Sequence, residues 1–454
     1  MAVGLRHFRL IPDLNPSRAK AESGAAVRAA WYEIRALTPI DRVLLGCVVF
    51  TLLALVADYR LGLAPVRELV HITPFVENGG RELAFEQLIG WHALVWLMGS
   101  ALVLLYPGYR RGMVSLPAAL LLVVAVAIPA ITAVNARVDS LTLESFFGVG
   151  LPLAAMVALA LHPGVSEKAL RAAVWIVAGS AGALTLATLA REVLNNSLDR
   201  LGILFFGPTT STGPVLAALA VLVLMLLPTG RRSRAAAIVL FVVLVAGLAF
   251  TQSRTAAVAL LVGVSIAGVS RRNVSKWAFV IGGAFALGLL TLAPRSLFSA
   301  AQSTSFKAAN IGHHWRLFLE HPSFGYGVSR ESLPAAGGAD NTLLAMANGI
   351  GGYCTAAFVL SWCVALGGVS RRWMAVGGAV LAVYATGWFG GGEILFQIPV
   401  TNLLPLALAC GLSRQGSRCQ VHSPDGTGRS DRVAISDAMG VSGERTPSLP
   451  AQSS

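Results

Sequence analysis

The chain has 454 residues, 55% of them hydrophobic and only 13% charged, with a formal net charge of +13 and a mean hydropathy of +0.69. That composition excludes an ordinary soluble globular protein and points to a polytopic membrane protein. The basic residues fall in short clusters between apolar runs, with no basic patch interleaved with aromatics, so they read as topology signals and no nucleic-acid partner is expected.

Residues 1–41 form a basic N-terminal segment in which Arg6, Arg9, Arg18, Lys20, Arg28 and Arg35 sit among apolar residues including Trp31 and Tyr32. It either lies partly on an anionic inner leaflet or is a disordered topology anchor. Apolar stretches follow near 42–62, 85–107, 114–134, 141–162, 169–190, 203–228, 235–251, 255–270, 276–293, 341–366, 373–389 and 395–412. That is about twelve helices of on the order of 20 residues each. Lipid offers the backbone no partner, and without strand alternation only helices satisfy it, so residues 42–412 are expected to be an all-α transmembrane bundle. The first run has no small-residue cleavage site after it and reads as a retained span.

Clusters at Arg110-Arg111, Lys168/Arg171, Arg231/Arg232/Arg234, Arg271/Arg272/Lys276 and Arg371-Arg372 recur after every second span. The positive-inside rule then puts both termini in the cytoplasm, and Arg254 and the long loop 294–340 outside. Residues 413–454, rich in Ser, Gly, Asp and Arg, read as a disordered cytoplasmic tail. Five cysteines occur without paired metal-ligand spacing, so neither a disulfide nor a metal site is expected.

In chain order, the first candidate is Gly207-Pro208-Thr209-Thr210-Ser211-Thr212-Gly213-Pro214, which breaks the start of the sixth span. Non-helical backbone at that depth is tolerated only where it is buried or lines a cavity. The segment, Thr212 included, binds a sugar or headgroup or is an interfacial loop. Arg254 comes next, the only charge between two apolar runs joined by a tight turn, Thr251-Gln252-Ser253-Arg254-Thr255. A charge so close to hydrocarbon is costly, which makes Arg254 a functional-site candidate.

The external loop holds Lys307, His313, His314, Arg316, His321 and Asp340. Ile311, Trp315, Phe318 and Leu319 follow i, i+4, i+7, i+8 spacing, so Phe306–Glu320 is expected to be a short amphipathic helix on the bundle or membrane surface, with His313, Arg316 and Glu320 opposite. Arg316 either pairs with Glu320 at i, i+4 or converges with Arg254 on a phosphate, whose oxygens a guanidinium matches bidentately; Lys307 is a second candidate for that job. His313 and His314 point about 100° apart, which argues against a shared metal. His321 starts the turn-rich Pro322-Ser323-Phe324-Gly325-Tyr326-Gly327, which should end the helix. Asp340 and Asn341 stand where a helix N-cap belongs, and Asp340 can also take a proton from an acceptor hydroxyl, work that typically contributes roughly 10²–10⁴-fold.

The order of these fragments, Gly-Pro break, Ser253-Arg254, Trp315-Arg316, His321 to Gly327, then Asp340-Asn341-Thr342-Leu343-Leu344, resembles the O-antigen ligase and O-antigen polymerase superfamily over residues 200–366. The resemblance implies a membrane glycosyltransferase that moves glycan from an outer-leaflet polyprenyl diphosphate carrier to a hydroxyl on a glycan or lipid acceptor, with no cofactor, in the plasma membrane of a bacterium. It implies that Arg254 matches the family's first arginine and Arg316 or Lys307 its second. Aligned backwards from Pro322, Lys307 falls on the family arginine and Ile311 on its tryptophan. Asp340 stands where the family has a histidine, and an aspartate of pKa about 3.9 is a weaker base than an imidazole. On this reading Asp340, Arg254 and Arg316 are catalytic, and Lys307, His313, His314, His321, Asn341 and Thr212 bind substrate. One rival from another class is a secondary transporter or flippase of lipid-linked sugars, since many helices with both ends inside is also a transporter plan; a second is a non-catalytic scaffold of envelope assembly, which would tolerate loss of both arginines.

Overall fold

Leucine, valine and alanine in long runs leave the backbone to hydrogen-bond within each segment, and helix follows. The computed structural model describes residues 37–61, 91–105, 115–194, 209–228, 230–251, 253–270, 296–336, 339, 341–367, 371–390 and 400–421, and all regular structure among them is helical. In chain order these are α1 Pro39–Leu61, α2 Trp91–Leu105, α3 Leu116–Asn135, α4 Ser140–Ala160, α5 Glu167–Leu194, α6 Thr209–Met225, α7 Arg231–Phe250 and α8 Arg254–Ser270. Then come α9 Ser296–Glu320, the short α10 Leu333–Ala336, α11 Thr342–Leu366, α12 Arg371–Gly390 and α13 Leu404–Val421, the last preceded by a 3-10 turn, Val400–Leu403. Residues Ser145–Gly150 of α4 are π-helical.

Among the described residues, five helices are long and apolar enough to cross a membrane: α3, α4, residues Glu167–Ala190 of α5, α7 and α11. Shorter apolar helices lie at Leu94–Val103, Thr212–Met225, Arg254–Gly268, Ala375–Trp388 and Leu404–Arg414. A multi-pass membrane protein is the plain reading. The span expected near 276–293 lies outside the described residues, as do residues 1–36 of the basic N-terminal segment.

The core is built around α6, whose residues 215–225 are buried on every side, as expected of a helix that is apolar all round. Small residues let its neighbours approach. A Cβ added at Gly263 of α8 would stand 2.5 Å from Val383 of α12 and 2.9 Å from Val221 of α6, and one at Gly213 of α6 only 2.5 Å from the Ala256 Cβ of α8.

Contacts sort the helix termini into two ends. At the first, Ser166 N–H donates to the Asp41 carboxylate (2.7 Å) and Thr38 to the Gly164 carbonyl. Gly377 N–H donates to Ser413 Oγ there, and Gly411 packs on the Ala160 backbone. Helix α12 rises from this end, so Gly387, ten residues past Gly377 and hence ~15 Å higher, meets Pro214 near the start of α6. The second end therefore carries the start of α6, the α7–α8 turn, the end of α3, the segment 321–332 and the start of α11.

One expectation about the periphery changes. Ser413 is buried, its hydroxyl donating to Ala409 O while it accepts from Gly377 N–H. Helix α13 runs on to Val421, past residue 412 where the tail was expected to begin. Residues 418–454 form a separate unit, described only to Val421.

Candidate functional site

The tight turn read around Arg254 is present: α7 ends at Phe250 and α8 begins at Arg254 itself. Thr251 Oγ1 donates to Leu248 O (2.7 Å), closing α7, and Ser253 Oγ accepts from Ala256 N–H (3.3 Å), capping α8. Arg254 is thus an exposed first-turn residue. The neighbouring hydroxyl-rich segment differs from expectation. Thr209–Gly213 are helical, so the sixth span is intact from Thr209 onward, while Gly207 and Pro208 lie outside the described residues. Pro214 lies inside α6, its ring packed where Gly387 of α12 leaves room, 3.0 Å from an added Cβ. Thr212 is buried beside it. Because Gly213 abuts Ser253 and Ala256, the N-termini of α6 and α8 lie side by side, pointing the same way. Their first-turn N–H groups and aligned dipoles, next to a guanidinium, make a cationic end for the bundle.

The second group lies on α9, α11 and the chain between them. Helix α9 is longer than predicted, and its buried side is Ile311, His314 and Phe318, whereas Trp315 and Leu319 remain exposed. The apolar spacing pointed to a face rotated from the real one. The reason is polar: His314 is only 4% exposed, and Asn348 Nδ2 of α11 donates both to its carbonyl and to Nδ1, each at 3.2 Å. His313, Arg316 and Glu320 do share an exposed face, and Lys307 is half-buried. The anticipated Arg316–Glu320 pairing is replaced: Arg316 Nε donates to Gly312 O (3.4 Å), and Glu320 accepts the Tyr326 hydroxyl at 2.6 Å. The His321 ring stacks edge-on against Tyr326, centroids 4.4 Å apart.

Helix α9 ends at Glu320 as predicted, and beyond it the chain builds a feature that its sequence does not announce. Helix α11 is broken at Gly351, whose φ of 81° and ψ of 167° are open only to glycine. The segment Pro322–Gly327 crosses the break and takes up the freed backbone groups. Tyr326 N–H donates to Asn348 O (2.7 Å), Gly327 N–H to Gly349 O (2.8 Å), and Gly352 N–H to Pro322 O (2.8 Å). The approach is so close that a Cβ on Gly325 would meet Asn348 O at 2.5 Å. Asn348 itself is fully buried, and its Oδ1 has no hydrogen-bond donor.

The same segment is clamped from α3 and α4. Asn135 Nδ2 donates to Gly325 O (2.8 Å), and Thr132 Oγ1 accepts from Val328 N–H (2.8 Å). Asp139 caps α4 through Thr142 N–H (3.0 Å) and accepts Arg330 N–H with its other oxygen (2.7 Å). Asn341 is the N-cap of α11, accepting Leu344 N–H at 3.0 Å. Asp340, the expected base, lies outside the described residues.

The Tyr326 phenol is the titratable group here whose pKa moves. Withdrawal from water raises it first; the Glu320 carboxylate, which accepts its proton and repels a phenolate, raises it further, to about 12. Among the described residues no cluster of His, Cys, Asp and Glu could hold a metal ion.

Asn135, Asp139 and Asn348 were missed as site-builders. For Asn348 a signal existed, since Asn348-Gly349-Ile350-Gly351-Gly352 is an unusual run inside an apolar span. The sequence matches no protein-family model and no curated protein.

Proposed function

We propose that this protein is a membrane glycosyltransferase, a ligase or polymerase of the O-antigen ligase type, working at the second end of the bundle, which faces the cell exterior. The observation that carries the reading is the cationic end made by the paired N-termini of α6 and α8 with Arg254 at their rim, Ser253 being the half-buried cap of α8 beside it. Such an arrangement suits an anion as large as a lipid diphosphate.

In the reaction an acceptor hydroxyl oxygen attacks the anomeric carbon, the carbon–oxygen bond to the diphosphate breaks, and the carrier diphosphate departs with the bonding electrons. Arg254, with Arg316 or Lys307 from α9, stabilises the charge that grows on that leaving group. Asp340, directly before the Asn341 cap, receives the hydroxyl proton. His313, on the exposed side of α9, and His321, beside Tyr326, line the acceptor side, whereas His314 supports the site from below through Asn348.

Membranes carrying Arg254→Ala should accumulate carrier-linked glycan and lose product. Transfer at the wild-type level in that variant would end the proposal.

One observation favours a second reading, a transporter or flippase of lipid-linked sugars: discontinuous helices such as α11 form binding sites in transporters. Here the groups freed by the break are bonded to the Pro322–Gly327 backbone, which weakens that reading. Purified protein given a synthetic polyprenyl diphosphate sugar and acceptor separates the two: a new glycosidic product supports transfer, and vesicle uptake without product supports transport.

A further inference from the structure

Helix α9 has three sides rather than two. Ile311, His314 and Phe318 face the protein. At 100° per residue, Trp315 and Leu319 occupy the adjoining sector, 53% and 57% exposed, and Arg316 and His313 the sector beyond. A helix on a soluble surface has no use for the middle sector, whereas one lying in a membrane–water interface needs all three.

The apolar sector does not stop at α9. The Trp315 ring lies 5.4 Å from that of Phe318, whose edge would be 3.4 Å from a Cβ on Gly352 of α11. The next residue, Tyr353, is 68% exposed and pairs with Phe324, 60% exposed, at 6.0 Å between centroids. Below Tyr353, in the half of α11 that follows the Gly351 break, the exposed side continues through Val359 and Leu360. Aromatic rings thus crown the outward stripe of a span, at the level where Trp and Tyr concentrate in membrane proteins. A folded protein partner would leave this continuity with the span unexplained.

We infer that Trp315, Leu319, Phe324 and Tyr353 form one surface that docks on the bilayer, seating α9 in the headgroup layer of the second end with Arg316 and His313 turned to phosphates and water. The inference rests on the bundle crossing a membrane and not on glycan transfer.

The test uses the full chain in vesicles of phosphatidylethanolamine and phosphatidylglycerol, reading the tryptophan emission lost between wild type and Trp315→Phe. That component should be quenched by lipids brominated near the carbonyl end of the acyl chain and spared by aqueous iodide. Tyr353→Trp and Phe324→Trp, each made in the Trp315→Phe background, should behave alike, and these aromatic exchanges also serve if the first variant folds poorly. Quenching by iodide without quenching by brominated lipid overturns the inference in favour of a solvated face. Protection from both quenchers overturns it in favour of a second copy or another protein.

Discussion

Replacing Gly351 with alanine tests the crossing of α11 by the Pro322–Gly327 segment. Its φ of 81° and ψ of 167° lie in a region essentially reserved for glycine, where another residue costs roughly 1–3 kcal/mol. The new Cβ would also collide with Ser323 O and Phe324 Cα, atoms of the main chain with no rotamer to yield. The segment must lift, and the three backbone bonds across the break lose about 0.5–1.5 kcal/mol each. Together these give roughly 3–7 kcal/mol, large beside the net stability of most domains. The measurement is the unfolding midpoint in detergent at one fixed scan rate, since such unfolding is irreversible, paired with hydrogen exchange at the Tyr326 and Gly327 amides. Gly312→Ala is the control: it sits in α9 with nothing within 4 Å of an added Cβ and should hold or raise the midpoint. A Gly351→Ala protein with an unchanged midpoint and protected amides would refute the reasoning.

Asp139→Ala removes the α4 cap and strands the Arg330 amide, for roughly 2–4 kcal/mol; thermal unfolding should show it, and Asp139→Asn should keep part. Because the Tyr326 pKa is raised, the neutral phenol's contribution is intact below pH 10 and disappears as pH climbs through about 12. Ultraviolet difference titration against Tyr326→Phe should find that transition, and Glu320→Gln should lower it. Gly213→Val drives a branched side chain into Ala256 and Ser253, so it should separate the α6 and α8 N-termini and cut transfer activity while Arg254 is still present; full activity would argue against their shared role.

Apolar run length was enough to read the all-helical class, because lipid leaves the backbone one choice; of the twelve expected spans, five are long and apolar enough to cross a membrane among the described residues. The turn at Arg254 was legible for the same reason, with two runs and too few residues between them for anything else. What escaped depended on contacts distant in sequence. The buried side of α9 was set by Asn348, 34 residues from His314, which no periodicity within α9 could announce. Glu320 looked like a partner for Arg316 because spacing sees only i, i+4 neighbours, and Tyr326 reached it first from beyond the helix end. The hydroxyl-rich start of α6 read as a break because proline and glycine are usually punctuation, yet in a packed bundle glycine also serves as the thinnest residue at a crossing, as Gly213 does against Ala256.

The seam between Pro322–Gly327 and α11 is made by main-chain groups. Side chains at Ser323 and Phe324 are therefore free to diversify without unfastening it, and only glycines 325, 327 and 351 are held to one identity by their positive φ angles. The trim of this joint is thus open to change over generations while its carpentry stays fixed.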